Sequence, residues 1–255
     1  IWNNRKNGEI YPILMTISAV YDNANDLKNY VALFSDISLL KRNQQQLEQI
    51  AHYDMLTNLP NRMLLADRLE QAIVRSKRLQ KSLAVAFLDL DGFKAINDVH
   101  GHSVGDELLV ILALRMREAL REGDTLSRFG GDEFVALLDG FDSAEDYDAI
   151  LTRLLTAVTQ PVAINDTILK VSASIGVTLY PADNSDADQL IRHADRAMYV
   201  AKEKGKNRYQ LFDIASDDAM KSHRESLQKI TSAFVNREFL LYYQPKVNMK
   251  TGAIV

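Results

Sequence analysis

The chain has 255 residues, 47% of them hydrophobic, a net charge of −4 and no cysteine. That is enough material for one to three domains with a buried core, and it excludes both a disordered segment and a disulfide-stapled scaffold. The mild acidity argues against a general nucleic-acid binder, no apolar run reaches the length of a membrane span and the start is not a signal peptide, so a cytoplasmic location is expected, with any membrane attachment left to parts of a parent protein outside this sequence.

Ile1–Arg5 and Glu9–Val20 read as strands joined at Asn7-Gly8, a dipeptide suited to tight hairpins. Beyond the polar stretch Tyr21–Asn29, Tyr30–Phe34 reads as another strand. So few strands hold too little core to stand alone, and this part reads as cut from something longer. Ser38–Ala51 is polar and glutamine-rich, with Leu40, Leu47 and Ile50 at a/d-like helical spacing. Two roles stay open for it: a solvated linker, or a signalling helix that pairs two protomers in parallel.

Asn61 is an N-cap candidate for a helix running to about Leu79. The nearly continuous apolar run Leu83–Leu90 reads as a buried central strand, ending in Asp89-Leu90-Asp91-Gly92-Phe93-Lys94. Asp89 and Asp91 stand at same-face spacing, but the turn at Gly92 is expected to separate them. Asn97, Asp98, His100 and His102 are expected in a loop, and the two histidines lack a third ligand at metal-site spacing. Gly105-Asp106-Glu107-Leu108 is expected to open an amphipathic helix to about Arg121. Thr125–Phe129 and Glu133–Leu138 flank Gly130-Gly131 as a hairpin whose tight turn needs positive φ. Without Cβ atoms, such a turn lets a bulky anion approach the backbone. Asp132 and Glu133 follow, on opposite strand faces. A helix Ser143–Thr159, a small hairpin around Asn165-Asp166, a strand Val171–Tyr180, a helix Asp186–Lys204 with Gly205 at its end, and a strand Arg208–Phe212 complete the pattern.

Asp54–Arg62, Asp89–Lys94, Asn97 with Asp98, Gly105–Leu108, Arg128–Phe134, Ser174-Ile175-Gly176-Val177 and Ala197–Asn207 occur in the order and spacing of one family. The chain resembles the GGDEF family of diguanylate cyclases from Asp54 to Asp213. The resemblance implies an α+β palm-type fold, a central, mostly antiparallel sheet flanked by helices. It implies condensation of two GTP molecules into cyclic di-GMP with release of pyrophosphate, by two domains facing each other in a homodimer, with Mg2+ or Mn2+. Phosphoryl transfer of this kind needs positioning and charge neutralisation more than covalent help.

By the same resemblance, Asp89, Asp132, Glu133 and the Leu90 carbonyl are metal ligands. Asp132, Glu133 and Lys94 are catalytic, the division of labour between Asp132 and Glu133 staying open. Asn97 and Asp106 face guanine, although Asp106 taken alone reads first as a helix N-cap or first-turn acid favoured by the helix dipole. Phe93 and Gly131 offer backbone to phosphate. Lys202 and Lys206, expected four apart on one helical face, hold phosphate or simply solvate a basic helix end. Arg121 and Asp124, with Arg153, match an inhibitory site for the cyclic di-GMP product. Residues 1–37 resemble the C-terminal part of a PAS sensory domain and 38–53 its linker helix. Residues 214–255 resemble the start of an EAL phosphodiesterase domain. Two rival functions follow: a catalytically silent GTP-binding regulator of an adjacent phosphodiesterase, and a cyclic di-GMP receptor.

Overall fold

A computed structural model of the protein describes residues 1–213 except 22, 24, 142, 143 and 166, leaving aside the side chains of 45, 144 and 145. Ser143, Asp166 and the expected EAL-like segment 214–255 therefore lie outside the described residues. Three antiparallel strands, β1 (Trp2–Asn4), β2 (Ile10–Tyr21) and β3 (Leu27–Asp36), lead into α1 (Ser38–His52). The small sheet buries little: Ile13 is 4% exposed, but Ile17, Tyr30 and Phe34 are all more than half exposed.

The order then runs α2 (Arg62–Leu79), β4 (Ser82–Asp91), α3 (Phe93–His100), α4 (His102–Glu118), β5 (Thr125–Gly130), β6 (Glu133–Phe141), α5 (Ala144–Thr159), β7 (Val162–Ile164), β8 (Thr167–Leu169), β9 (Ser172–Tyr180), α6 (Ala187–Glu203) and β10 (Arg208–Leu211). The main sheet is ordered β10-β9-β4-β6-β5; only the β10–β9 pairing is parallel. This is the expected α+β architecture. The expected N-cap is present, Asn61 accepting from the N–H groups of Met63 and Leu64. Among the described residues no helix is long and apolar enough to cross a membrane.

β4 sits at the centre and divides the core by its period of two. Ala84, Ala86, Leu88 and Leu90 join Leu108, Leu112, Ile150 and Leu154 from α4 and α5. Leu83, Val85 and Phe87 join Leu65 and Leu69 of α2 and Leu190, Ala194 and Met198 of α6 on the other face. Gly176 of β9 makes the second layer possible. A Cβ there would lie 1.9 Å from the Ala194 carbonyl oxygen and 2.0 Å from the Met198 nitrogen, so α6 rests its backbone directly on the strand.

Four expectations change. Residues 93–100 form a helix rather than a loop: Gly92 (φ 80°) turns the chain and Ile96 N–H bonds back to its carbonyl. The next helix opens at His102 rather than Gly105 and ends at Glu118, so Asp106 lies beyond the first turn and Arg121 outside the helix. Asp91 is not separated from Asp89 by the turn; both belong to β4. Finally, α6 ends at Glu203, and Gly205, Lys206 and Asn207 all have positive φ, so Lys206 leaves the helical face it was expected to share with Lys202.

Candidate active site where β4 ends and β6 begins

The face of β4 and β6 that packs on α2 and α6 runs out of apolar residues at one end, and carboxylates take over. Asp89 and Glu133 are direct register partners across the β4–β6 ladder, the closest side-chain relationship two strands allow. Lys202 reaches this end from α6, its Nζ 2.7 Å from Asp89 Oδ1. Burial pushes the Asp89 carboxyl up, the Lys202 ammonium opposes it, and the charges of Asp132 and Asp91 add to the rise. Glu133 is also pushed up, first by burial and then by Asp89, Asp195 and Asp132. Crowded carboxylates with one ammonium among them leave an excess of negative charge on an all-oxygen donor set, which fits a hard divalent cation. Among the described residues, no three His, Asp or Glu side chains already stand in a metal-holding group. Leu90 is 1% exposed with its side chain in the core, so only its backbone is available to such a cation.

The hairpin beside them differs in detail from expectation. Gly130 pairs with Glu133, so the two turn residues are Gly131 and Asp132, and of the two glycines only Gly131 uses positive φ (51°). Asp132 occupies the turn itself, and its carbonyl accepts from Leu90 N–H (3.3 Å), tying the turn to the exit of β4. The turn is clamped from outside by Arg128, whose Nε and Nη2 donate to the Gly131 carbonyl at 2.9 and 2.8 Å. Nη1 of the same guanidinium donates to both oxygens of Asp54 at 3.0 and 3.1 Å. Burial opposes ionisation of Asp54, but hydrogen bonds from Thr57 and Arg128 outweigh it and hold the carboxyl below its usual range. The Asp54–Arg128 clamp has no signal in the sequence pattern. The two residues are 74 positions apart, and no local spacing signals such a pair.

Phe93 and Lys94 open α3, whose N-cap Gly92 brings no side-chain cap. The first N–H groups of this helix therefore point outward without intrahelical partners, as at an anion-binding helix start. Asn97 stands against α4 where Gly105 lies; a Cβ on Gly105 would come within 1.8 Å of Asn97 Oδ1. That oxygen is buried and has no hydrogen-bond partner among the described residues. Asp106 follows Gly105 and is exposed. Asn97 thus packs at the α3–α4 corner beside Gly105, the residue before Asp106.

Arg121, Asp124 and Arg153 also come together, away from this site. Arg121 N–H donates to Asp124 Oδ2 (3.0 Å), and the Asp139 N–H donates to Asp124 Oδ1 (3.4 Å). Arg153 reaches across from α5 to the Ala119 carbonyl (2.8 Å). Burial pushes the Asp124 carboxyl up against the hydrogen bonds and the two guanidinium groups. The same aspartate lines a cleft of about 340 Å³ with Arg68, Arg75 and Asp139, in which Arg75 is already paired with Asp139 at 2.9 Å.

Residues 51–208 match the family model described as diguanylate cyclase, GGDEF domain. The chain is 43% identical over 216 residues to the bifunctional diguanylate cyclase/cyclic di-GMP phosphodiesterase MucR of Pseudomonas aeruginosa, covering 85% of this chain and 31% of that protein. It is 35% identical over 210 residues to the cyclic di-GMP phosphodiesterase NbdA of the same organism, covering 82% and 26%. It spans under a third of the length of either. Among solved structures it is similar to the GGDEF domain of TpbB from Pseudomonas aeruginosa, with a TM-score of 0.63 and 37% identity over 67% of this chain and 99% of that one.

Proposed function

The chain belongs to the GGDEF family of diguanylate cyclase domains, and on that premise we propose that it condenses two GTP molecules into cyclic di-GMP with release of two pyrophosphates. One observation carries the reading: Asp89 and Glu133 face each other across the ladder, Asp132 stands in the adjoining turn, and Lys202 arrives from α6.

In each half-reaction the 3′-oxygen of one nucleotide forms a bond to the α-phosphorus of the other, the bond from that phosphorus to the bridging oxygen breaks, and pyrophosphate leaves. Asp89, Asp132, Glu133 and the Leu90 carbonyl would hold the Mg2+ or Mn2+ ions, which supply charge neutralisation on the phosphates. The carboxylate of Asp132 or Glu133 takes the proton of the attacking hydroxyl, and the upward shift of Glu133 suits it to that task. The free N–H groups at Phe93 and Lys94, the Cβ-free approach at Gly131, and the ammonium groups of Lys94, Lys202 and Lys206 receive the phosphate oxygens. Asn97 and Asp106 read the guanine edge. One site of this kind holds one GTP, so two domains must face each other and activity rises with protein concentration. Arg121, Asp124 and Arg153 bind product and restrain the pair of domains.

We assign 54–213 to the cyclase, 1–37 to the end of a PAS domain, 38–53 to a signalling helix and 214–255 to the start of an EAL domain. The test is pyrophosphate release from GTP and Mg2+ across protein concentrations. Asp132→Ala is expected to lower it at least about 100-fold with unchanged melting behaviour; undiminished cyclic di-GMP synthesis sinks the assignment. A second reading, a silent GTP-binding regulator of an adjoining phosphodiesterase, draws support from the likeness to NbdA. GTP binding without pyrophosphate release would favour it.

A further inference from the structure

Asp91 follows Asp89 by two residues at the end of β4, and the two carboxylates have different surroundings. Asp89 is met by Lys202 and by other acids. Among the described residues Asp91 accepts from three donors: Ser172 Oγ at 2.7 Å on Oδ2, Ser174 Oγ at 2.8 Å on Oδ1, and the backbone N–H of Asn207 at 3.3 Å on Oδ2. Both of its oxygens accept hydrogen bonds from other elements, which gives this strand-end carboxylate a holding task distinct from that of Asp89.

The third of these bonds reaches an unusual segment. Gly205, Lys206 and Asn207 take φ of 109°, 61° and 48° in succession. Glycine adopts such angles freely; lysine and asparagine do so at a cost, and such conformations persist where surrounding bonds over-determine them. Those bonds are present. Gly205 N–H donates to the Lys202 carbonyl, Lys206 N–H to the Ala201 carbonyl, and Asn207 N–H to Asp91. Just past the segment, β10 begins its parallel pairing with β9 at Arg208↔Ser174. Ser174 is thus both the register partner of the first residue of β10 and a donor to Asp91.

We propose that Asp91 is a positioning residue for Lys206: its carboxylate fastens the left-handed turn 205–207 to β4 and β9, and so aims the Lys206 ammonium at the nucleotide's terminal phosphates. This rests on the nucleotide reading of the site given above. The strand that delivers a metal ligand at Asp89 thereby also sets the place of a phosphate cation delivered by the far end of α6.

The test has two arms on the full chain. In the first, needing no nucleotide, amide hydrogen exchange at Asn207 is compared in wild type, Asp91→Ala and Asp91→Asn. The alanine variant is expected to exchange about tenfold faster or more. The asparagine variant is expected to stay near wild type, because its carbonyl oxygen still accepts from Asn207 while its amide donates to Ser174 Oγ. Unchanged protection in the alanine variant overturns the anchor. Equal loss in both variants overturns hydrogen bonding as its cause and assigns the effect to charge beside Asp89. In the second arm, calorimetry with Mg2+ compares GTP, which has the terminal phosphates, with GMP, which lacks them. Asp91→Ala is expected to weaken GTP about tenfold and to leave GMP within about twofold, with Lys206→Ala adding no further loss in the Asp91→Ala background. Equal weakening of GTP and GMP, or additive losses, overturns the positioning role. Wild-type protein that binds GTP no better than GMP overturns the nucleotide reading and the task of Lys206 with it, while the exchange arm separately decides whether Asp91 holds the turn.

Discussion

β2 and β4 are both long, apolar strands, yet they live in different physical circumstances. Leu83 through Leu88 of β4 are buried on both faces, α2 and α6 covering one and α4 and α5 the other. On β2 only Ile13 is buried, while Leu14 and Ile17 are 60% and 55% exposed. Period-two alternation points side chains to both faces of either strand; what differs is whether a helix layer is there to meet them. The consequence is positional. A strand gripped on both faces delivers its last residues, Asp89 and Asp91, to a defined place, which a site built from carboxylates and cations demands. Among the described residues no helix layer grips the β2–β3 hairpin in this way, and Ile17, Tyr30 and Phe34 stay exposed.

The sharpest way to break this contrast is to lift a helix off the larger sheet. Gly176→Ala drives a methyl into the backbone of α6 at Ala194 and Met198, atoms that cannot yield by a rotamer change. We expect at least about 3 kcal/mol of lost stability in chemical denaturation, with loss of GTP turnover at temperatures where the variant is still folded, because Lys202 travels with α6.

A smaller effect follows from releasing the outer clamp of the turn. Arg128→Ala leaves the half-buried Asp54 carboxylate with Thr57 alone and the Gly131 carbonyl short of two donors. We expect a loss of about 1–3 kcal/mol and a lower kcat, while Arg128→Lys recovers less than full activity because lysine lacks the fork that spans both partners.

On the small sheet the same kind of measurement should barely respond. Ile17→Ser, on an exposed strand position, is expected to change stability by no more than about 0.5 kcal/mol; a loss of the size seen for Gly176→Ala would show that β2 is gripped after all. The smallest effect lies at the junction with α1. Hydrogen bonds from Ser38, then the Arg5 guanidinium, hold the Asp36 carboxyl down to about 2. A carboxylate depressed on folding stabilises the fold above its ordinary range near pH 4 and loses that contribution as the pH falls toward 2. The stability difference between wild type and Asp36→Ala should therefore be present at pH 5 and shrink steadily to pH 2.

Much of the scaffold was legible because it rests on local rules. Asn61 as an N-cap, the apolar run of β4, the Gly-Gly hairpin and the amphipathic helices each follow from neighbouring residues. The helix 93–100 is hard to read because its apolar steps Phe93, Ile96 and Val99 span barely two turns and are interrupted by Asn97, Asp98 and the Gly101 that follows His100. Lys206 reads onto a helical face because a spacing of four is helical until a glycine intervenes, and Gly205 with φ 109° does so. The Asp54–Arg128 clamp and the Asp91 anchor join residues far apart in sequence, so no window of the chain contains either.

The sequence alone therefore determined which residues carry charge at strand exits and turns, and the family those motifs resemble, since both are written in short stretches of neighbouring residues. Tertiary structure alone decided the partners. It set Asp89 opposite Glu133, gave Asp91 to Ser172, Ser174 and Asn207, and brought Lys202 to Asp89 on a helix whose backbone rests directly on β9 at Gly176. Those outcomes depend on sheet order and on how closely a helix can approach a strand, which are properties of the packed chain and not of any segment in it.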